Sequence, residues 1–316
     1  MSQERAQEAV QGAPLGGGER AEQALLVLDV GLDRPVDRRL EEALMRAIRL
    51  HSRGGPEQLV LDEVERPTLR EGDALVRVQA AAITRDELDW PVDRLPAVPS
   101  YELSGTVAAL AAGVEGVAVG DPVYALAPFD RDGAAADFAA VPASLLAPKP
   151  RTLDHVESAA VPLAALSAWQ GLFDHGRLEP GERVLVVGAS GGVGHFAAQL
   201  VRYRGAELVD PAVPAEGLEA VDLVFDTAGG EPLARSAALV REGGRVVSVA
   251  EEPAEGVYFV VEPNREQLAV LTRLVDEGEL RPVIDSVFPL EDARAAFERS
   301  MARGKRGKVV LHVGDD

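Results

Sequence analysis

Hydrophobic and polar positions fall into two textures along this chain. From Met45 to about Pro150 the apolar residues come in short runs: "MRAIRLH", the alternating "ALVRVQAAAI", then "YELSGTVAAL" and "DPVYAL", with Gly-Asp and Pro-Ser pairs between them. Brief runs bounded by turn formers predict strands, so this part reads as a compact β domain. Between Thr152 and Leu178 the spacing lengthens, and "VESAAVPLAALSAWQGLF" sets small and apolar residues at helical intervals, predicting a connecting helix pair.

The second half alternates strands and helices. "RVLVVG" is an uninterrupted apolar run, as expected of a parallel strand buried on both faces. The next segment places Val193, Phe196, Ala197, Leu200 and Val201 on one stripe and ends at Gly205, which predicts an amphipathic helix with a glycine stop. "AELVD", "VDLVFDTAGG", "RVVSVA" and "YFVV" are four more strand candidates. Asn264 and Gln267 form a capping-box start for the helix "REQLAVLTRLVDEG", closed by Gly278; "PVIDSVFPL", the helix "EDARAAFERSMARG" and the strand "KVVLHV" follow. Residues 1–44, rich in Glu, Gln, Arg and Gly, read as a poorly ordered extension or the product of an early start codon.

Composition narrows the functions. At 316 residues the chain is long enough for two domains. Its 52 acidic and 32 basic residues give a formal charge of −20, which repels nucleic acid and anionic membrane surfaces. There is no cysteine, which removes thiolate nucleophiles and every zinc site built on sulfur. No apolar run approaches a bilayer span and the acidic N-terminus does not resemble a signal peptide, so a cytoplasmic protein is expected.

Gly188, Gly191 and Gly194 step by three between the buried strand and the amphipathic helix. Bare backbone there lets a pyrophosphate approach the helix N-terminus, where unpaired amides and the helix dipole favour negative charge. A tight turn without ligand is the plainer alternative. In a dinucleotide fold an acid about 20 residues on holds the adenosine ribose; Glu207 and Asp210 lie in that window, and Asp210 at a strand end would favour NAD over NADP. From Gly181 to Thr227, however, there are 47 residues, where two βαβ units sharing a strand need about 55 to 60. One strand and one helix are missing from the expected plan.

"GERVLVVGASGGVGHFAAQL", "DLVFDTAGGE", "GGRVVSVA", "YFVVEPNREQL" and the closing "RGKVVL" resemble the medium-chain dehydrogenase/reductase superfamily in its zinc-free quinone oxidoreductase (zeta-crystallin-like) branch. "GGPEQLVLDEVERP", "AAAITRDELDW", "PSYELSGTVAAL" and "VAVGDPVYAL" carry the likeness into the first domain, so that it covers Met45 to Val313. It implies an α/β fold: a GroES-like β domain over residues 45–165, a Rossmann-type doubly wound parallel sheet over 166–283 shortened by one β-α unit, and a C-terminal segment, 284–316, returning to the first domain.

The likeness also implies chemistry. Zinc-dependent relatives carry Cys where Thr84 stands here and His where Tyr101 stands, so a metal-free mechanism is implied. Thr84, Asp86 and Tyr101 would line the substrate cavity and donate hydrogen bonds to a carbonyl oxygen; ordinary packing in strands is the competing reading of Thr84 and Tyr101. Gly188, Ser190, Gly191, Gly192 and Val193 would cradle the pyrophosphate of NADPH, with NADH a second possibility. Ser167, Thr227, Ala250, Phe259 and Val260 would border ribose and nicotinamide. Arg202 or Arg204 would stand near the 2′-phosphate, whose usual ligands belong to the excised segment. Asp226 reads as a strand-end turn former, His195 as a solvated residue on a polar helix face and His175 as a cap.

The expected activity is zinc-independent, NAD(P)H-dependent hydride transfer to a quinone, enone or related conjugated carbonyl. The alternatives are a cofactor-independent, redox-neutral cyclisation or isomerisation, and a non-catalytic ligand-binding role. A homodimer is expected, with no nucleic-acid or membrane partner; "YFVV" reads either as a strand that extends the sheet across it or, equally, as a buried internal strand. Trp90 and Tyr258 are the nearest aromatic residues to stack on a quinone, with core packing as their other reading.

Overall fold

The computed structural model describes residues 44–90, 93–209 and 220–314. Asp210 lies outside the described residues, as does the N-terminal stretch up to residue 43; Leu44 already opens the first strand, Leu44–Leu50, which forms a hairpin with Leu59–Glu65.

The larger sheet is built on Asp73–Ile83, buried along its length except at Arg77. Its run Ala80–Ala82 breaks the alternation for a packing reason: Ala80 and Ala82 meet Ala159 and Ala160 of the helix region His155–Ala159, while Ala81 enters the opposite core. Larger side chains there would hold the helix off the sheet. Glu102–Leu110 pairs antiparallel on one edge, followed by Pro122–Leu126 and Ala147–Pro148. The other edge takes Phe138–Pro142 along its first half and Lys308–His312 along its second, with Ile284–Pro289 parallel beyond. The end of the chain is thus woven into the sheet begun by its first half, and the pair Val309↔Ile83 brings Lys308 beside Thr84.

Among the described residues the smaller sheet has five parallel strands in the order Val257–Tyr258, Val240–Ser248, Val221–Asp226, Arg183–Val187, Glu207–Val209. All four strand candidates that follow the glycine loop are present. "AELVD" shortens to Glu207–Val209, and of "YFVV" only Tyr258 belongs to the strand Val257–Tyr258, leaving Phe259, Val260 and Val261 outside it. Glu207–Val209 flanks Arg183–Val187 on the side away from Val221–Asp226, so the direction of strand succession reverses at Arg183–Val187, where such folds bind ligands. Among the described residues no strand lies beyond Glu207–Val209. Among the described residues this sheet is one strand short of the six-stranded dinucleotide-binding order, and Glu207–Val209 fills the second position.

The helix Gly194–Arg204 packs on this sheet through Phe196, Ala197, Leu200 and Val201, and Gly205 closes it in the left-handed conformation at φ 79°. Asn264 caps Arg265–Asp276 by accepting from the Gln267 amide, but the Gln267 side chain turns to Gln170 and Asp174 instead of completing the box.

Candidate functional site

The glycine loop leaves the carboxyl end of Arg183–Val187. Gly188 has φ 81°, and Thr227 packs on it while its hydroxyl donates to the Val187 carbonyl at 2.8 Å. Gly194 lies directly over the Gly188 carbonyl, and a Cβ there would overlap that oxygen. This is the close helix–strand approach that the third glycine permits. At Gly191 a Cβ would meet only the loop's own Gly188 oxygen, at 3.2 Å, so the outer side of the loop is open.

His195 is buried, which corrects the solvated reading: the first turn of its helix faces the 281–283 segment and not solvent. Its Nε2 accepts from the Val283 amide at 3.1 Å, which leaves the ring proton on Nδ1, 2.9 Å from the Gly191 carbonyl. Burial pushes the imidazole down to about 4, so it stays neutral and holds the Gly191 carbonyl inward.

The C-terminal strand closes over this loop. The Gly307 amide donates to the Ser190 carbonyl at 2.9 Å, and a Cβ on Gly192 would come within 3.0 Å of Lys308 Cδ. The Lys308 ammonium ends on the Glu102 carboxylate, both side chains buried. Glu102 Oε1 accepts from the amides of Leu163 at 2.9 Å and Ala164 at 3.4 Å, at the N-terminus of the helix Pro162–Trp169. A carboxylate is well placed at that positive helix end. The Thr84 hydroxyl lies 3.4 Å from both Lys308 Nζ and Glu102 Oε2.

Behind Thr84, Glu87 is fully buried, with Oε2 accepting from the Thr84 amide at 3.2 Å and Oε1 from the Ser100 hydroxyl at 3.4 Å. Burial raises this carboxyl to about 8, so at neutral pH it is an uncharged acid. Beside it Tyr101 packs against Trp90 and Phe129, with ring centroids 5.6 and 5.3 Å away. Arg94 donates to Tyr101 Oη at 2.8 Å and to the Phe129 carbonyl at 2.7 Å. Burial raises the phenol to about 12, and its proton has no acceptor among the described residues.

The remaining expected residues distribute as follows. Ser190 is exposed, and Gly191, Gly192 and Val193 are half-buried along the loop. Thr227 sits on Gly188, and Ala250 is exposed at the end of Val240–Ser248, its amide held by the Ser248 hydroxyl at 3.1 Å. Phe259 is buried against His175, whose ring stacks on it at 4.3 Å, while Val260 is exposed. Ser167 is buried within Pro162–Trp169 and Asp86 is exposed. Asp226 is a turn former: its carboxylate takes the amides of Ala228 and Gly229 and the Ser248 hydroxyl. Arg204 is engaged by the Leu178 carbonyl and Glu179, and Arg202 by the Ala198 carbonyl. Sequence reasoning missed Glu87, Arg94 and Lys308. The signal for Lys308 was a lone cation at the start of the apolar run "KVVLHV", after a glycine.

These donors do not fit zinc. The chain has no cysteine, Thr84 and Tyr101 offer neutral hydroxyls, and the carboxylate of Glu102 that Thr84 contacts is neutralised by an ammonium ion. Among the described residues no group of three His, Cys, Asp or Glu could hold a metal ion. The glycine loop does suit a diphosphate: its outer face is open, it heads a helix, and Lys308 lies alongside.

Fold and loop together define an alcohol-dehydrogenase-like α/β chain, a GroES-like sheet joined to a Rossmann-type sheet. Residues 70–151 match the model of the alcohol dehydrogenase GroES-like domain, and residues 197–311 that of the zinc-binding dehydrogenases. Among curated proteins, the chain is 34% identical over 300 residues to "Probable zinc-binding oxidoreductase, mitochondrial" of Arthroderma benhamiae, covering 78% of this chain and 90% of the relative. It is 30% identical over 307 residues to an NADPH-dependent alkenal/one oxidoreductase of Arabidopsis thaliana, covering 82% and 77%. The solved quinone oxidoreductase of Coxiella burnetii superposes with a TM-score of 0.80 at 26% identity, covering 86% of this chain and all of that one. The chain belongs to the medium-chain dehydrogenase/reductase superfamily, in its quinone oxidoreductase-like branch, and is an oxidoreductase.

Proposed function

We propose that this oxidoreductase reduces a quinone, enone or related conjugated carbonyl with NADPH, or alternatively NADH, and without a metal. The observation that carries the reading is the glycine loop at the strand-order reversal, open at Gly191 and flanked at Gly192 by Lys308, whose ammonium reaches Thr84 and Glu102 of the other sheet. Residues 188–193 would bind the diphosphate, with Thr227, Ala250, Phe259 and Val260 towards the ribose and nicotinamide. NADPH, when bound, supplies a hydride for the β-carbon of the conjugated system.

The chain's own groups would receive the carbonyl end. The Tyr101 phenol keeps its proton to high pH and accepts from Arg94; the side chain is fully buried, so it would meet a carbonyl only where a substrate enters beside Trp90 and Phe129. The Thr84 hydroxyl accepts from Lys308 and donates to Glu102, which fixes its orientation. Trp90 and Phe129 offer apolar ring surface beside Tyr101 to a planar substrate. Pairing of two copies through the edge strand Val257–Tyr258, about half exposed, belongs to the same reading.

Titration of the purified protein with NADPH and NADH, followed by nicotinamide fluorescence, tests it. Micromolar binding with enone- or quinone-dependent oxidation is expected. Turnover of a conjugated carbonyl with no nucleotide bound up to millimolar concentration would instead establish a redox-neutral enzyme.

A further inference from the structure

The segment that closes over the glycine loop, Lys305-Arg306-Gly307-Lys308, carries a cation that the site described so far does not use. Lys305 is half-buried and makes no hydrogen bond or ion pair with any described residue. Its surroundings are crowded with positive charge. Lys308 and Arg85 repel it, and burial together with that repulsion lowers its amine to about 8. The nearby carboxylates attract it but are already engaged: Glu102 by Lys308, and Asp285 by Arg299 and the Arg306 amide. His195, which faces the same cluster, is neutral. In a chain of formal charge −20, a partly desolvated lysine pressed towards another cation is costly unless an anion joins them. Among the described residues, the glycine loop is the neighbouring element built to receive an anion, and this segment is tied to it by the bond from the Gly307 amide to the Ser190 carbonyl.

We infer that Lys305 binds the diphosphate of the nicotinamide cofactor, supplying from the C-terminal segment a charged contact to a nucleotide site whose adenosine side is shortened. The inference rests on the cofactor reading above. The diphosphate is common to NADPH and NADH, so Lys305 serves both alike. Because binding an anion favours the charged amine, the contact is complete below pH 8 and weakens as pH rises above it.

The test compares wild type, Lys305→Met and Lys305→Arg by fluorescence titration with each nucleotide at pH 7 and pH 9.5. Inorganic pyrophosphate is added as a separate ligand in thermal-shift measurements. Lys305→Met is expected to weaken NADPH and NADH binding equally at pH 7, by roughly tenfold, the size of one charge-assisted hydrogen bond. It is also expected to lose most of the pyrophosphate-induced rise in Tm. Wild-type affinity should fall towards that of Lys305→Met by pH 9.5, while Lys305→Arg should bind as wild type does at pH 7 and keep that affinity. Unchanged binding by Lys305→Met overturns the inference, and so does a loss confined to NADPH, which would place Lys305 at the 2′-phosphate. A wild type that binds neither nucleotide but is protected by pyrophosphate through Lys305 overturns the cofactor reading and leaves the diphosphate contact standing. A wild type that responds to none of the three ligands overturns both.

Discussion

Replacing Lys308 by Met leaves the Glu102 carboxylate buried without its cation. Three neutral donors remain around it, the amides of Leu163 and Ala164 and the Thr84 hydroxyl. Removing one partner of a buried ion pair costs about 3–5 kcal/mol, and the surviving donors should hold the loss to about 2–4 kcal/mol. The double variant Lys308→Met/Glu102→Gln removes both charges and should lose less than the sum of the single changes, with a coupling of about 1–3 kcal/mol. The assay is urea unfolding followed by far-UV circular dichroism, with stability compared at unchanged slope. Should Lys308→Met unfold within about 0.5 kcal/mol of wild type, the pair does not hold the C-terminal strand to the helix Pro162–Trp169 as described.

Gly194→Ala should destabilise the chain by about 3 kcal/mol or more, because its Cβ would overlap the Gly188 carbonyl. Gly191→Val should hardly move the unfolding midpoint yet abolish nucleotide binding, since its side chain would fill the open face of the loop. Chemical denaturation and nucleotide titration of both variants check the contrast. Glu87→Gln should alter the pH dependence of stability. The Glu87 carboxyl is raised from 4.5 to about 8 in the fold, so the wild type is most stable below pH 4.5 with respect to this group and loses that contribution as pH rises through 8. The variant lacks the loss, and its stability relative to wild type should grow by on the order of a few kcal/mol between pH 5 and pH 8.5 in urea titrations.

Much of this molecule was legible in one dimension. Local periodicity predicts the strand Arg183–Val187, the stripe of the helix Gly194–Arg204 and the glycine stop at Gly205, because burial on a sheet forces that spacing whatever the neighbours are. Chain length between Gly181 and Thr227 foretold a shortened sheet, since a strand and helix cannot be built from residues that are not there. Only the tertiary structure decided which position Glu207–Val209 takes, because parallel pairing is chosen by crossover geometry and not by the strand's own residues. It also decided that His195 is a buried prop for Gly191 and that Lys308 meets Glu102, 206 positions away in the chain. Charges that pair across such a separation leave no local pattern; what brings them together is the return of Lys308–His312 to the edge of Asp73–Ile83, and the site takes its electrostatic character from that return.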